Sequence, residues 1–185
     1  MVTIRRACAG DAADIARVEV ETWRETYAGV LPDRMLLGMS ERRLTAGWRD
    51  TIARAGARQH VVVADCRGVV GFGSCGPVRA GALPYDGEVF TLYVLPDYQG
   101  RGIGRTLLAK LFATLAGAGR RSALIWVLAD NPSRFFYHAM GGALVAVRRE
   151  RQWGSVLREM AYGWSDLAEI ARTPDGLVAR QSRAT

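Results

Sequence analysis

Three alternating glycines, Gly100, Gly102 and Gly104, stand where an apolar run from Glu88 to Leu95 gives way to a segment carrying Leu107, Leu108, Leu111, Phe112 and Leu115 on one helical face. A glycine turn between a strand and a helix is built to bind phosphate. Glycines let the backbone approach an anion, and the unpaired N–H groups of the first helical turn point at it with the positive end of the helix dipole. Spacing decides between the known phosphate motifs. No Gly-Lys-Ser/Thr closes the loop, so a Walker A turn is excluded. A dinucleotide turn needs glycine where Arg105 stands, and an acidic residue about 20 positions on, which is missing. What remains is Gln99, Gly102 and Gly104 in the pattern Gln-x-x-Gly-x-Gly.

Preceded by Leu92-Tyr93-Val94-Leu95-Pro96, this pattern resembles motif A of the GCN5-related N-acetyltransferase (GNAT) family. The resemblance implies that backbone amides around Gly100, Arg101, Gly102, Ile103, Gly104 and Arg105 hold the pyrophosphate of acetyl-CoA. It also implies that Leu92, Val94 and Gln99 belong to the cofactor site, with the Val94 backbone pairing with the pantetheine arm. Asn131-Pro132-Ser133-Arg134-Phe135-Phe136-Tyr137, followed by Gly141-Gly142, is similar to the family's second cofactor segment, in a register one residue shorter than in many members. By that likeness Asn131 and Arg134 are cofactor-binding, and Tyr137 protonates the departing CoA thiolate as general acid.

The amine that attacks must first lose a proton, because its ammonium form has no lone pair. Glu88, at the start of the strand leading to the turn, stands where family members with a glutamate base carry it. Glu25 and Asp33 are secondary candidates. Trp23, Tyr27 and Leu31 resemble the family's segment bordering the acceptor pocket. Together these features imply direct transfer of an acetyl group from acetyl-CoA to a primary amine of a small molecule or peptide. A non-catalytic acyl-CoA sensor is the alternative. The resemblance spans Thr3 to Trp164 and rests on Leu92 to Leu108 and Asn131 to Gly142.

Bulk properties fit this reading. At 185 residues and 49% hydrophobic content the chain has the size of one globular domain. It contains neither a long apolar run nor a signal-peptide pattern, so a cytoplasmic protein without membrane contact is expected. Cys8, Cys66 and Cys75 show no CxxC spacing and only His60 and His138 could join them, which argues against a metal or a disulfide. None sits at the glycine turn. The net charge of +7 comes from scattered arginines, a pattern suited to a small polyanion rather than to nucleic acid.

The elements that must position these residues follow from periodicity. A strand at Thr3 to Ala7 precedes a helix capped by Asp11 and running to about Arg24, with an ordered loop to Pro32. A second helix covers Asp33 to Arg54, with a break near Gly38 to Ser40. His60 to Asp65 and Val69 to Ser74 form a hairpin around Gly68. After the loop from Gly76 to Gly87 come the strand Glu88 to Leu95, the helix after the glycines, the strand Ser122 to Leu128, a helix over Ser133 to Met140, and strands at Ala143 to Arg149 and Val156 to Trp164. The fold class is α/β, a single domain with a twisted, mostly antiparallel sheet of about seven strands and helices on both faces. The domain is expected over residues 1–165. Residues 166–185 read as an extension without periodicity, fraying from Arg180 to Thr185 and available to a homodimer.

Overall fold

The computed structural model describes residues 1–54, 59–79, 83–152 and 154–172. Strand β1 (Thr3–Arg6) is followed by α1 (Ala12–Thr26), α2 (Asp33–Leu37) and α3 (Glu41–Ala53), then by strands β2 (His60–Asp65), β3 (Val69–Pro77) and β4 (Gly87–Val94). The second half comprises α4 (Ile103–Gly117), β5 (Ala123–Leu128), α5 (Ser133–Ala139), β6 (Ala143–Gln152), β7 (Ser155–Trp164) and α6 (Leu167–Arg172). The strands form one seven-stranded sheet in the order β1-β2-β3-β4-β5-β7-β6, antiparallel except for the β4–β5 pair. The expected helix from Asp33 to Arg54 is interrupted at Gly38, and Ser40 restarts it by accepting the Arg43 amide.

Strand alternation gives the sheet two covered faces. Phe72 of β3 points at α3, meeting the Trp48 ring edge-on at 5.1 Å. Cys75, of opposite parity, points at α4, where its thiol donates to the Leu111 carbonyl at 3.7 Å. Burial pushes that thiol up to about 12, as expected of a structural cysteine. The face of α4 formed by Leu107, Leu108, Leu111, Phe112 and Leu115 is fully buried.

Asp11 does precede α1, yet its carboxylate makes no capping bond to that helix. It accepts instead from the Cys8 amide at 2.7 Å and from two Arg5 nitrogens at 2.8 Å, while Arg5 also reaches Asp65 on the adjacent β2 at 2.8 Å. A basic residue on β1 outcompetes the helix amides for the carboxylate. The Arg5 hydrogen bond holds the Asp11 carboxyl down to about 2. A carboxyl depressed in the folded state stabilises it above the ordinary carboxylate range and loses that contribution as pH falls toward 2. Asp11→Asn should therefore cost about 1–2 kcal/mol at pH 6, and urea midpoints measured down to pH 3 should show a shallower acid limb than the wild type.

The segment after Ser165, without clear periodicity in the sequence, begins with the short helix α6. Asp166 caps α6, accepting from the Ala168 and Glu169 amides at 2.9 Å, and Leu167, 1% exposed, inserts beside α4. Six residues are too few for a period to show in sequence. Leu167→Ala should lower unfolding free energy by about 2–3 kcal/mol in chemical denaturation, where an unchanged midpoint would mean that α6 is not part of the core. The expected fraying from Arg180 lies outside the described residues, as does the middle of the loop containing Gly81.

Candidate active site

The site begins with a defect in the sheet. Across β3 and β4, Ser74 opposes Thr91 while Cys75 opposes Val89, so Phe90 is an extra residue. Such a bulge bends its strand and sharpens the local twist. Consistent with this, β4 pairs with β5 only over Gly87–Val89 and Ala123–Ile125, and the two strands then part. Between them lies a cavity of about 650 Å³, bordered by Phe90 to Val94 on one side and Ile125 to Leu128 on the other.

At the α4 end of this cavity stands the glycine turn. Gly100 and Gly102 adopt φ of +69° and +78°, the left-handed region that side chains with a Cβ enter only at a cost. A Cβ at either would meet no heavy atom within 4 Å, so the turn opens onto free space. Gly102 is the N-cap of α4 and its carbonyl takes the Thr106 amide, so the amides of Ile103 and Gly104 begin the helix at the open end of its first turn. No acidic residue lies in that turn. Gln99 ties the turn to the strand by donating to the Val94 carbonyl at 2.9 Å. A turn with main-chain donors at a helix N-terminus is chemically suited to an anion such as a diphosphate.

The expected cofactor residues divide. Leu92, Val94, Gln99, Gly100, Gly102, Gly104, Arg105 and Asn131 all line the cavity. The Ile103 side chain is buried in the core instead, leaving only its amide for a ligand. Arg101 lies over the Tyr98 ring at 5.3 Å, and Arg134 donates to the Ala129 carbonyl and covers Phe135; neither side chain lines the cavity. Asn131 is 7% exposed and occupied on both sides: its Oδ1 accepts the Ser133 amide at 2.8 Å and its Nδ2 donates to the Tyr27 hydroxyl at 2.8 Å. It therefore anchors α5 and orients Tyr27.

Of the three consecutive aromatics on α5, Phe135 is exposed, Phe136 lies under Gly104, and Tyr137 is buried and lines the cavity. Helical geometry aims neighbouring side chains about 100° apart, so one of the three had to point inward. Burial raises the Tyr137 phenol well above its ordinary value, which keeps its proton in place at neutral pH. His138 is exposed, as its position on the helix requires.

On the acceptor side Trp23 and Tyr27 line the cavity, their rings 5.1 Å apart, whereas Leu31 packs beneath Tyr27 against Leu36. The carboxylate of Glu88 does not line the cavity. It is 1% exposed and takes the Arg79 backbone amide at 2.9 Å, the Arg79 Nε at 3.0 Å and a further Arg79 nitrogen. In place of the expected contact with the amine, Glu88 fixes Arg79, which does border the cavity. Glu25 and Asp33 are exposed on the surface and do not line it either.

Sequence reasoning missed Thr22, Arg79, Phe90, Trp126, Arg148 and Glu159, all of which line the cavity. A signal existed for Glu159: Leu157, Glu159 and Ala161 alternate onto one face of β7, a carboxylate between apolar neighbours. Among the described residues no group of three His, Cys, Asp or Glu side chains could hold a metal ion, and no helix is long and apolar enough to cross a membrane.

Residues 57–141 match the acetyltransferase (GNAT) domain. The chain is 36% identical over 171 residues to YuaI of Bacillus subtilis (strain 168), described as an uncharacterized N-acetyltransferase, with 92% of this chain and 96% of that one covered. The fold superposes on PaiA N-acetyltransferase from Thermoplasma acidophilum, solved in complex with coenzyme A, with a TM-score of 0.68 at 20% identity over 89% of this chain and 99% of that one. Salmonella typhimurium yncA, solved with its cofactor acetyl-CoA, gives a TM-score of 0.67 at 25% identity, covering 89% and 94%.

Proposed function

This chain belongs to the GNAT family of acetyltransferases, and from that membership we propose that it carries the acetyl group of acetyl-CoA directly to a primary amine of a small molecule or peptide. The observation that supports this most is the continuity of one cavity from the glycine turn, through the gap between β4 and β5, to the aromatic wall of α1. In this reading the amides of the turn and of the first turn of α4 hold the pyrophosphate, with Arg105 beside them. The pantetheine arm follows Leu92 to Val94, and strand amides there polarise the thioester carbonyl. The amine enters between Trp23, Tyr27 and Trp126. Its nitrogen attacks the carbonyl carbon, the C–S bond breaks, and Tyr137 gives its proton to the departing sulfur.

No cysteine is found among the described residues lining the cavity, so nothing there favours an acetyl-cysteine intermediate. Exposed Leu144, Val147 and Val156 on β6 and β7 support the homodimer reading. The test is thiol release. Purified protein is incubated with acetyl-CoA and a panel of primary amines, amino-acid derivatives and peptides, and free CoA thiol is measured. Release that depends on an added amine is expected. Tight acetyl-CoA binding with no release across the panel would favour the non-catalytic sensor.

A further inference from the structure

We infer that Glu159 is the proton acceptor of the transfer: the acceptor's primary ammonium docks on its carboxylate at the α1 side of the gap and gives up its proton there. The inference rests on the acetyl-transfer reading above and adds the group that this reading leaves open.

Among the described residues that line the cavity, Glu159 is the sole carboxylate and there is no histidine, cysteine or lysine. The other titratable groups there are poorly suited to take a proton. Tyr27, Tyr93 and Tyr137 are phenols that burial holds in the protonated form, and the guanidinium groups of Arg79, Arg105 and Arg148 have no lone pair to offer. Glu88 is turned away and bonded to Arg79.

Placement is fixed by strand register. On β7, Glu159 stands opposite Leu128 of β5 and Arg148 of β6, on the far rim of the gap. Its side chain is 13% exposed. Arg148 Nε donates to Glu159 Oε2 at 2.7 Å, and the same guanidinium lies 4.0 Å above the Trp126 ring, so the carboxylate is held by a side chain that is itself stacked. Thr22, 6% exposed on α1, lines the same cavity with a buried hydroxyl that has no hydrogen-bond partner among the described residues. A buried hydroxyl without a partner is costly, and a ligand amine or amide at this position would supply one. Glu159, Tyr27 and Tyr137 line the same cavity, so the proton acceptor and the thiolate acid share it.

R–NH3⁺ transfers one proton to the Glu159 carboxylate, from which it passes to solvent. The freed lone pair attacks the thioester carbonyl carbon, forming C–N. As C–S breaks, the sulfur takes the Tyr137 proton, and the phenol is restored by the second proton released from nitrogen. The products are the acetamide, CoA–SH and one proton in solvent.

Wild type, Glu159→Gln and Glu150→Gln are compared by thiol release with acetyl-CoA and primary amines of graded basicity, from n-butylamine to 2,2,2-trifluoroethylamine, and by calorimetric titration with acetyl-CoA. Glu159→Gln should lose about 100-fold in kcat/KM with n-butylamine, which enters as an ammonium. The loss should shrink several-fold or more with trifluoroethylamine, whose nitrogen is already largely unprotonated. Acetyl-CoA affinity should not change, and Glu150→Gln, which alters only an exposed partner of Arg148, should turn over as wild type. An equal loss across the series, or none, overturns the assignment. Should wild type bind acetyl-CoA and acetylate no amine, the transfer reading fails separately. Binding of n-butylammonium to the CoA-loaded protein, followed by tryptophan fluorescence, then decides: weakening by Glu159→Gln supports the docking site, and equal binding overturns it.

Discussion

Tyr137→Phe should lower kcat by about 100- to 1,000-fold while leaving the dissociation constant for acetyl-CoA within about twofold. The ring is what packs: it lies 5.3 Å from Phe136 and 6.2 Å from Tyr162 on a seven-residue helix. Phenylalanine keeps that ring and removes only the hydroxyl, so fold and cofactor cradle should survive. What disappears is a proton held beside the cavity by burial, and with it the means to neutralise the thiolate as it leaves. Steady-state rates and calorimetric titration on the same preparation separate the two quantities. Unchanged turnover would remove Tyr137 from the chemistry, whereas a parallel loss of affinity would make it a binding residue.

Gly102→Asp should weaken acetyl-CoA binding by at least about 100-fold, equivalent to about 2.8 kcal/mol. Two effects act together. The residue sits at φ +78°, where any side chain with a Cβ costs about 1–2 kcal/mol, and that cost falls on the shape of the turn. The new Cβ enters space free of protein atoms within 4 Å, and it carries a negative charge to the helix end where the pyrophosphate is proposed to lie. Thermal unfolding measures the first effect and titration the second. An affinity loss much larger than the stability loss is expected. The reverse pattern would show that the turn shapes the chain and does not hold the ligand.

The glycine turn and its flanking elements were legible because their information is local. A left-handed glycine at 100 and another at 102, a strand before them and a helix after them all sit within about 20 consecutive residues, and spacing alone excluded the rival phosphate motifs. The acceptor half was not legible because its residues meet only through the sheet. Thr22 comes from α1, Arg79 from the segment after β3, Arg148 from β6 and Glu159 from β7. Glu88 shows the same limit from the other side. Its place on β4 was read correctly, but the direction of its carboxylate depends on Arg79, nine positions away across a loop. Alternation along β7 could have marked Glu159 as inward, but not that the inward face there borders an opening. Asp11 failed as a cap for a related reason: a long-range partner, Arg5 on β1, was available to it.

The parting of β4 from β5 has a consequence for how such a protein can change over generations. On the proposed cofactor side, recognition is written in main-chain amides, which substitution cannot edit so long as the glycines keep their conformation. On the acceptor side it is written in side chains from four separate elements, each replaceable by a single point change. Altering Thr22 or Arg79 would redraw what the pocket admits, whereas Glu159 and the Arg148 that holds it are tied to the proposed chemistry, and the proposed seat of the acetyl donor would stay untouched. The gap in the sheet thus divides the heritable information, one rim conserved by geometry and the other free to drift toward new amines.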